Sequence, residues 1–351
     1  MKKTTLVFAI ITLLSVASNA QTKLLNENEL RNNTFYNSVE QAVAQKNSAK
    51  VLDLSGQGLS TLPPEISQLK ELQIVYLQGN KLTTIPAPIL ELPNLQYLYL
   101  DNNQIVAIPD NIKNLKNLKV LSICGNSIRL IPESLTTLTN LRTLNLAANQ
   151  LASLPATIKG MTSLLELDLT MNKLTSLPKE IGSLTKLQTF QASENKLTTL
   201  PKEFGNLKQL LILKLDNNPL VTFPDAVTQT TRLLRLSMAS CKISTIPTAI
   251  ANLTNLTHLD LHGNAITSMT PLFPLSKLVT LNLESNRLSN IEDGLMTMKS
   301  LQDWDLRNNT GIAKVTEQLA HLHELVRFGT SGSNIEMVPP NVEGSNKGIV
   351  Y

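Results

Sequence analysis

Apolar residues in this chain fall on a fixed grid. The segment LQIVYLQGNKLTTIPAPILELPN from Leu72 recurs as LQYLYLDNNQIVAIPDNIKNLKN from Leu95, LKVLSICGNSIRLIPESLTTLTN from Leu118 and LRTLNLAANQLASLPATIKGMTS from Leu141. The pattern is LxxLxLxxNxLxxLPxxIxxLxx. Its Asn recurs at Asn80, Asn103, Asn126, Asn149, Asn172, Asn195 and Asn218, in steps of 23 residues. Cys241 takes the next slot, Asn264 the one after, and Gln57 the slot before Asn80. Beyond 265 the grid erodes. Asn286 comes after 22 residues, and Met269-Thr270 replaces the Leu-Pro pair. Weaker units surround Leu301, Trp304, Leu306 and Asn309, then Leu325, Phe328 and Ile335, ending in Val338-Pro339.

The grid has physical content. Around the second and third Leu, apolar and other residues alternate with the period of a strand. The Asn amide can both donate to and accept from backbone groups that a turn leaves without ladder partners. The Pro fixes φ and lacks an N–H, so it stops the strand and begins a return segment. A single unit buries too little surface to offset the entropy of ordering it, so units must stack and the ends must be capped.

This pattern resembles the leucine-rich-repeat family, over residues 49–340 in about 12–13 repeats. The Leu-Pro step and the 23-residue length resemble the subclass found in bacterial repeat proteins and in Ras-pathway scaffolds. The resemblance implies an α/β repeat solenoid, a curved right-handed superhelix with a parallel sheet on its concave wall. It also implies protein–protein recognition as the function. In such an array Cys124 and Cys241 lie five repeats apart, about 25 Å at the spacing of stacked strands. A disulfide needs Cα atoms within about 7 Å, so they do not pair. Cys241 reads as a weaker rung of the Asn series, with a redox role as the alternative.

The remaining segments are assigned as follows. Residues 1–20 read as a secretory signal: Lys2 and Lys3, an apolar run from Leu6 to Val16, and small residues Ser18 and Ala20 before a cut at Gln21. The alternative is an uncleaved anchor or a buried helix. Residues 21–48 are expected to form an N-terminal helical cap, with Phe35, Tyr36, Val39, Ala42 and Val43 at helical spacing. Val315, Leu319, Leu322 and Val326 suggest a C-terminal cap helix over 313–326, and residues 341–351 a tail. The expected location is outside the cytoplasm: secreted, periplasmic or at the cell surface.

Charge excludes one partner class. The chain holds 31 Lys and Arg against 27 Asp and Glu; without Lys2 and Lys3 this is 29 − 27 = +2. No basic stripe is present, so nucleic acid is not expected. Beyond the leader no segment is apolar for long enough to span a membrane. No phosphate loop, CxxC pair or GxSxG turn occurs, and His323-Glu324 lacks the second His of a zinc-protease helix. The expectation is a monomeric, non-catalytic chain without cofactor or metal.

What remains is the set of outward positions, the third, fifth and seventh of LxxLxLxxN. Early repeats present Ile74, Tyr76, Tyr97, Tyr99 and Val120, with Gln78 and Asp101 beside them; middle ones present Glu166, Asp168 and Gln191. Later ones present Lys214, Arg235, His258, Asp260, His262, Asp303, Asp305 and Arg307. The Tyr and Ile group reads either as a binding patch or as cross-strand packing. His258 and His262 are about 13 Å apart along a strand, too far to share one ion. Two functions stay open: a scaffold binding a protein or glycan on its concave face, and a spacer or adhesin-like surface protein without a specific ligand.

Overall fold

Alternation at the third to fifth positions of each repeat yields strands of three residues. The computed structural model describes residues 23–314, 317–334 and 348–350. Its elements begin with α1 (Glu27–Arg31), β1 (Phe35–Tyr36) and α2 (Val39–Ala44). The array follows as β2 (Val51–Asp53), β3 (Ile74–Tyr76), β4 (Tyr97–Tyr99), β5 (Val120–Ser122), β6 (Thr143–Asn145), β7 (Glu166–Asp168) and β8 (Thr189–Gln191). It continues as β9 (Ile212–Lys214), β10 (Arg235–Ser237), β11 (His258–Asp260), β12 (Thr280–Asn282), β13 (Asp303–Asp305), β14 (Arg327–Gly329) and β15 (Gly348–Val350).

All fifteen strands form one sheet in chain order, every pair parallel. Equivalent residues face each other: Val75 beside Leu98, Leu98 beside Leu121, Leu144 beside Leu167. The sheet is open and curved, so the chain is the expected repeat solenoid. The return segments are short 3-10 turns such as Lys179–Ser183, entered through Pro178 at φ −69°. A five-residue crossover is too short for a stable α-helix, and the tighter turn fills it. Ile181 and Leu184 on that turn and Leu187 on the next repeat are buried, part of one apolar core running from Val39 to Phe328.

The Asn series is the polar spine of that core. Asn149 Nδ2 donates to the carbonyls of Ile123, Leu146 and Ala147 at 3.0–3.1 Å, and its Oδ1 accepts from the Ile128 N–H at 2.9 Å. The same set recurs from Asn80 to Asn309. At Cys241 the thiol donates to Leu215 O and Ala239 O at 3.2 and 3.3 Å. It cannot accept as an amide does. The N–H it would have served, that of Leu220, instead reaches Asn218 O at 2.8 Å, across Pro219. The local Pro turn therefore makes the weaker rung tolerable. Burial pushes the Cys241 thiol up to about 11, which keeps it unreactive.

One conformational demand is absent from the apolar pattern. The residue before each spine position takes positive φ, as at Ala148 (51°), Met171 (56°) and Glu194 (55°). Some repeats place Gly there, Gly79 and Gly125 among them; elsewhere an L-residue holds a conformation that costs on the order of 1 kcal/mol.

Both ends differ in detail from the sequence reading. At the N-terminus Val39 and Ala42 are buried on α2, while Phe35 and Tyr36 form strand β1, parallel to β2, instead of a turn of helix. At the C-terminus the stripe is not a cap helix. Residues Glu317–His321 form another 3-10 turn, Leu319 and Leu322 enter the core, and Val326 is 67% exposed. The reason is spacing: Leu319, Leu322, Leu325 and Phe328 occupy the slots of Ile, Leu and the first two strand Leu of a repeat. Those slots mimic one face of a helix. In the expected tail, Gly348–Val350 pairs with β14. The leader at 1–20, together with Val315, Ile335 and Val338-Pro339, lies outside the described residues.

Asn149→Ala is expected to lower unfolding free energy by about 3 kcal/mol, because buried backbone groups lose their partner. Cys241→Asn should change it by less than about 1 kcal/mol, because the Leu220 N–H is already paired. Urea denaturation reads both. Met171→Gly is expected to raise the midpoint of the same transition, by about 0.5–1 kcal/mol, since the Met171 side chain is exposed and only its strained backbone is relieved.

Candidate functional site

The outward positions of the sheet divide into three sectors with different neighbours. In the first, over β2–β5, the chain covers its own concave face. Asn26 caps α1: its Oδ1 accepts from the Glu29 N–H at 3.0 Å and its own N–H donates to Glu29 Oε2 at 2.7 Å. The helix lays Leu30, fully buried, against Val51, Ile74 and Tyr97. Ahead of α1 the extended backbone is held by two glutamines. The Leu25 N–H donates to Gln73 Oε1 (2.8 Å), Gln73 Nε2 to Lys23 O (2.9 Å) and Gln96 Nε2 to Leu25 O (3.0 Å).

This strap corrects the reading of the aromatic group. Ile74 is 1% and Tyr97 6% exposed, so neither faces solvent. Tyr76, Tyr99 and Val120 pack around the same cluster and are half-buried. Tyr76 and Tyr99 stack with ring centroids 5.0 Å apart, and Phe35 stacks on Tyr76 at 6.3 Å. The five residues do come together, but as the bed of the N-terminal segment. Burial, with the Glu27 carboxylate adding to it, pushes the Tyr99 phenol up to about 12.

The second sector, β6–β8, is open. Glu166 is exposed. Asp168 accepts from the Thr170 N–H at 2.9 Å and from Gln191 Nε2 at 3.3 Å. That local bond recurs: Asn145 caps Ala147, Asp260 caps His262, Asn282 caps Glu284 and Asp305 caps Arg307, each through the N–H two residues on. A carboxylate or amide at the fifth position therefore closes the strand's own turn.

In the third sector, β9–β14, the concave wall encloses a recess of about 380 Å³ lined by Lys214, Arg235, His258, Asp260, Asp303 and Arg327 among others. Arg327 pairs with Asp303. Arg307 reaches Asp305 at 2.6 Å and Glu284 at 2.9 Å. His262 Nδ1 lies 2.9 Å from Asp260 Oδ1. His258 Nδ1 sits 2.9 Å from Thr257 Oγ1; burial, then the adjacent Arg235, holds its imidazole below the usual range. His262 is outside the recess lining, so the sequence candidates Arg235, His258 and Asp260 meet there without it. Among the described residues no group of three His, Cys, Asp or Glu is placed to hold a metal ion.

Sequence reasoning missed the strap and its holders. The signal for Gln73 and Gln96 was a Gln at the same slot of two consecutive repeats, beside the Tyr-rich strands. It also missed Asp216, whose carboxylate accepts from Ser193, Ser237 and the Ala239 N–H.

With this geometry in hand, comparison with known proteins gives the class. Profiles of a leucine-rich repeat region match residues 48–122 and 89–172, of a leucine rich repeat 162–220, and of paired leucine rich repeats 231–274. The chain belongs to the leucine-rich-repeat family. No curated protein matches it. Among solved structures it is similar to a leucine-rich-repeat protein of Leptospira interrogans, at 29% identity and TM-score 0.62, covering 91% of this chain and 100% of that one. It is also similar to an internalin of Listeria monocytogenes, at 27% identity and TM-score 0.78, covering 88% of each. A plant peptide hormone receptor, RGFR1, solved in complex with RGF2, shares the fold at 24% identity and TM-score 0.69; the match covers 88% of this chain and 55% of that one. Among the described residues no helix is long and apolar enough to cross a membrane.

Spectrophotometric titration checks the strap. One tyrosine should ionise only near pH 12 in the folded protein, against 10 for a free phenol. Below pH 10 folded and unfolded chains both keep that proton; above it the unfolded chain releases it first. Stability should therefore fall as pH climbs from 10 toward 12. Leu30→Ala, which loosens the strap by about 3 kcal/mol, should bring the late ionisation down toward 10.

Proposed function

We propose that this chain is an exported, non-catalytic binding scaffold that takes a protein partner on the open concave face from β7 to β14. The observation that carries the reading is the division of that face. The aromatic end is closed by the chain's own strap, whereas the recess over β9–β14 is covered by none of the described residues and is lined by polar and charged side chains. The similar fold of a receptor solved with RGF2 supports a binding role. The likeness to an internalin and to a Leptospira protein fits a bacterial source. Lys2, Lys3 and the small residues before Gln21 support export, and a mature chain that begins at Gln21 by mass spectrometry would match it.

The chemistry of the face argues for recognition over catalysis. Apart from the exposed Glu166 its carboxylates are engaged in turns and ion pairs, and its imidazoles face a hydroxyl and a carboxylate without a nucleophile between them. The alternative is a spacer or adhesin segment with no concave ligand. The two separate in a capture experiment on the organism's envelope or medium, or on host extract. Ser237→Trp with Thr280→Trp fills the recess without touching the core. Loss of the captured partner supports the scaffold; undiminished capture leaves the spacer. Tyr76→Ala with Tyr99→Ala should leave capture unchanged and lower the thermal midpoint, because those rings bed the strap.

A further inference from the structure

Charges on the open half of the concave sheet are unequally engaged. Every carboxylate facing the recess has a donor from the chain itself. Asp216 accepts from Ser193, Ser237 and the Ala239 N–H; Asp260 from His262; Asp303 from Arg327; Asp305 from Arg307. Glu284, beside the recess, accepts from Arg307 and Asn308. Arg307 and Arg327 are consumed by these bonds. Lys214 and Arg235 are not: both are exposed, both line the recess, and neither makes an ion pair or side-chain hydrogen bond among the described residues. Two cations without a bonded partner therefore sit where each carboxylate of the recess already has a donor.

Their placement is set by strand register. Ser237 lies beside Lys214, and Arg235 lies between Ile212 and His258. Lys214 is thus one strand across and two residues along from Arg235, about 8 Å between Cα atoms. Both side chains are long enough to meet over the small Ser237. We infer that Lys214 and Arg235 are the receiving point for a carboxylate of the partner, carried on an acidic peptide segment that lies across β9–β11. This rests on the scaffold reading above and names the chemistry of its site.

The planar guanidinium of Arg235 presents a fork that matches a carboxylate, and Lys214 adds a point charge. Bringing an anion between them relieves their mutual repulsion. Extended polyanions fit poorly: Asp303 and Asp305 stand farther along the same groove, on β13, so a chain of phosphates would meet them. A short acidic stretch does not extend that far.

The test uses the full mature chain and a tetraglutamate peptide, blocked at both ends and carrying a neutral fluorophore, followed by anisotropy at low ionic strength. Tetraglutamine and tetralysine are the controls. Saturable binding of tetraglutamate alone is expected, weakened about fivefold in Lys214→Ala/Arg235→Ala and by added salt. Asp303→Asn should not weaken it. Both cations are exposed, so the double variant should keep its thermal midpoint. The inference is overturned if tetraglutamate fails to bind, if the double variant binds it equally, or if inorganic phosphate displaces it at equal concentration. Should tetraglutamate fail while recess-filling Ser237→Trp/Thr280→Trp still abolishes capture of the natural partner, the scaffold stands and only the carboxylate point falls. Capture that survives the Trp pair overturns the scaffold itself.

Discussion

Each spine amide ties its repeat to the one before, and the rest of the architecture follows from that bond. Asn149 holds carbonyls of Ile123 in the preceding repeat and of Leu146 and Ala147 in its own, and its oxygen takes the Ile128 N–H. A residue added or removed between the strand and the spine position would move either the donor or the acceptor out of reach. The amide therefore fixes the segment from strand to spine, that segment fixes strand register, and register places outward side chains in straight rows. Where the length does change, at the 22-residue step before Asn286, the bonds persist because the difference falls in the shortened return turn at Thr270–Leu272. The backbone near the spine is held to one geometry; the convex side absorbs the variation.

That hierarchy explains what was legible in the sequence. Strands, spine and core repeat every 23 residues, and each rests on contacts between equivalent slots, so one repeat predicts the next. Contacts that join different slots are not periodic. The strap meets the sheet through Leu25 and Gln73, 48 positions apart, and through Leu25 and Gln96, 71 positions apart. Nothing in a repeat announces them. Ile74 and Tyr97 consequently read as exposed, although the outward assignment of their slot was right. The C-terminal stripe failed for the opposite reason: the periodicity was real, but three-residue spacing serves a stack of 3-10 turns as well as a helix.

The strap also accounts for the chemistry of the early rows. An exposed end of a Leu-rich stack would leave Val51, Ile74 and Tyr97 against water. Leu30 covers them, and Gln73 and Gln96 supply the backbone partners that an extended segment without a neighbouring strand would otherwise lack. Apolar and amide side chains at these slots are thus explained by folding. The same slots in β10, β11 and β13, with no described residue above them, carry Arg235, His258 and Asp303 in their place.

Folding explains part of that charged set too, and the remainder carries the functional content. Asp260 and Asp305 sit at the fifth slot, where Asn145 and Asn282 also occur, and all four close the turn two residues on. Since Asn serves there as well as Asp, the acidity of these positions is incidental to the turn. Arg307 offsets the charge of Asp305, and Arg327 that of Asp303. No comparable structural duty falls to Lys214 or Arg235: neither side chain bonds to a described residue, and their removal would leave every turn and rung intact. Side chains that the fold does not use, held in register by a spine it cannot do without, are where a partner has most to recognise.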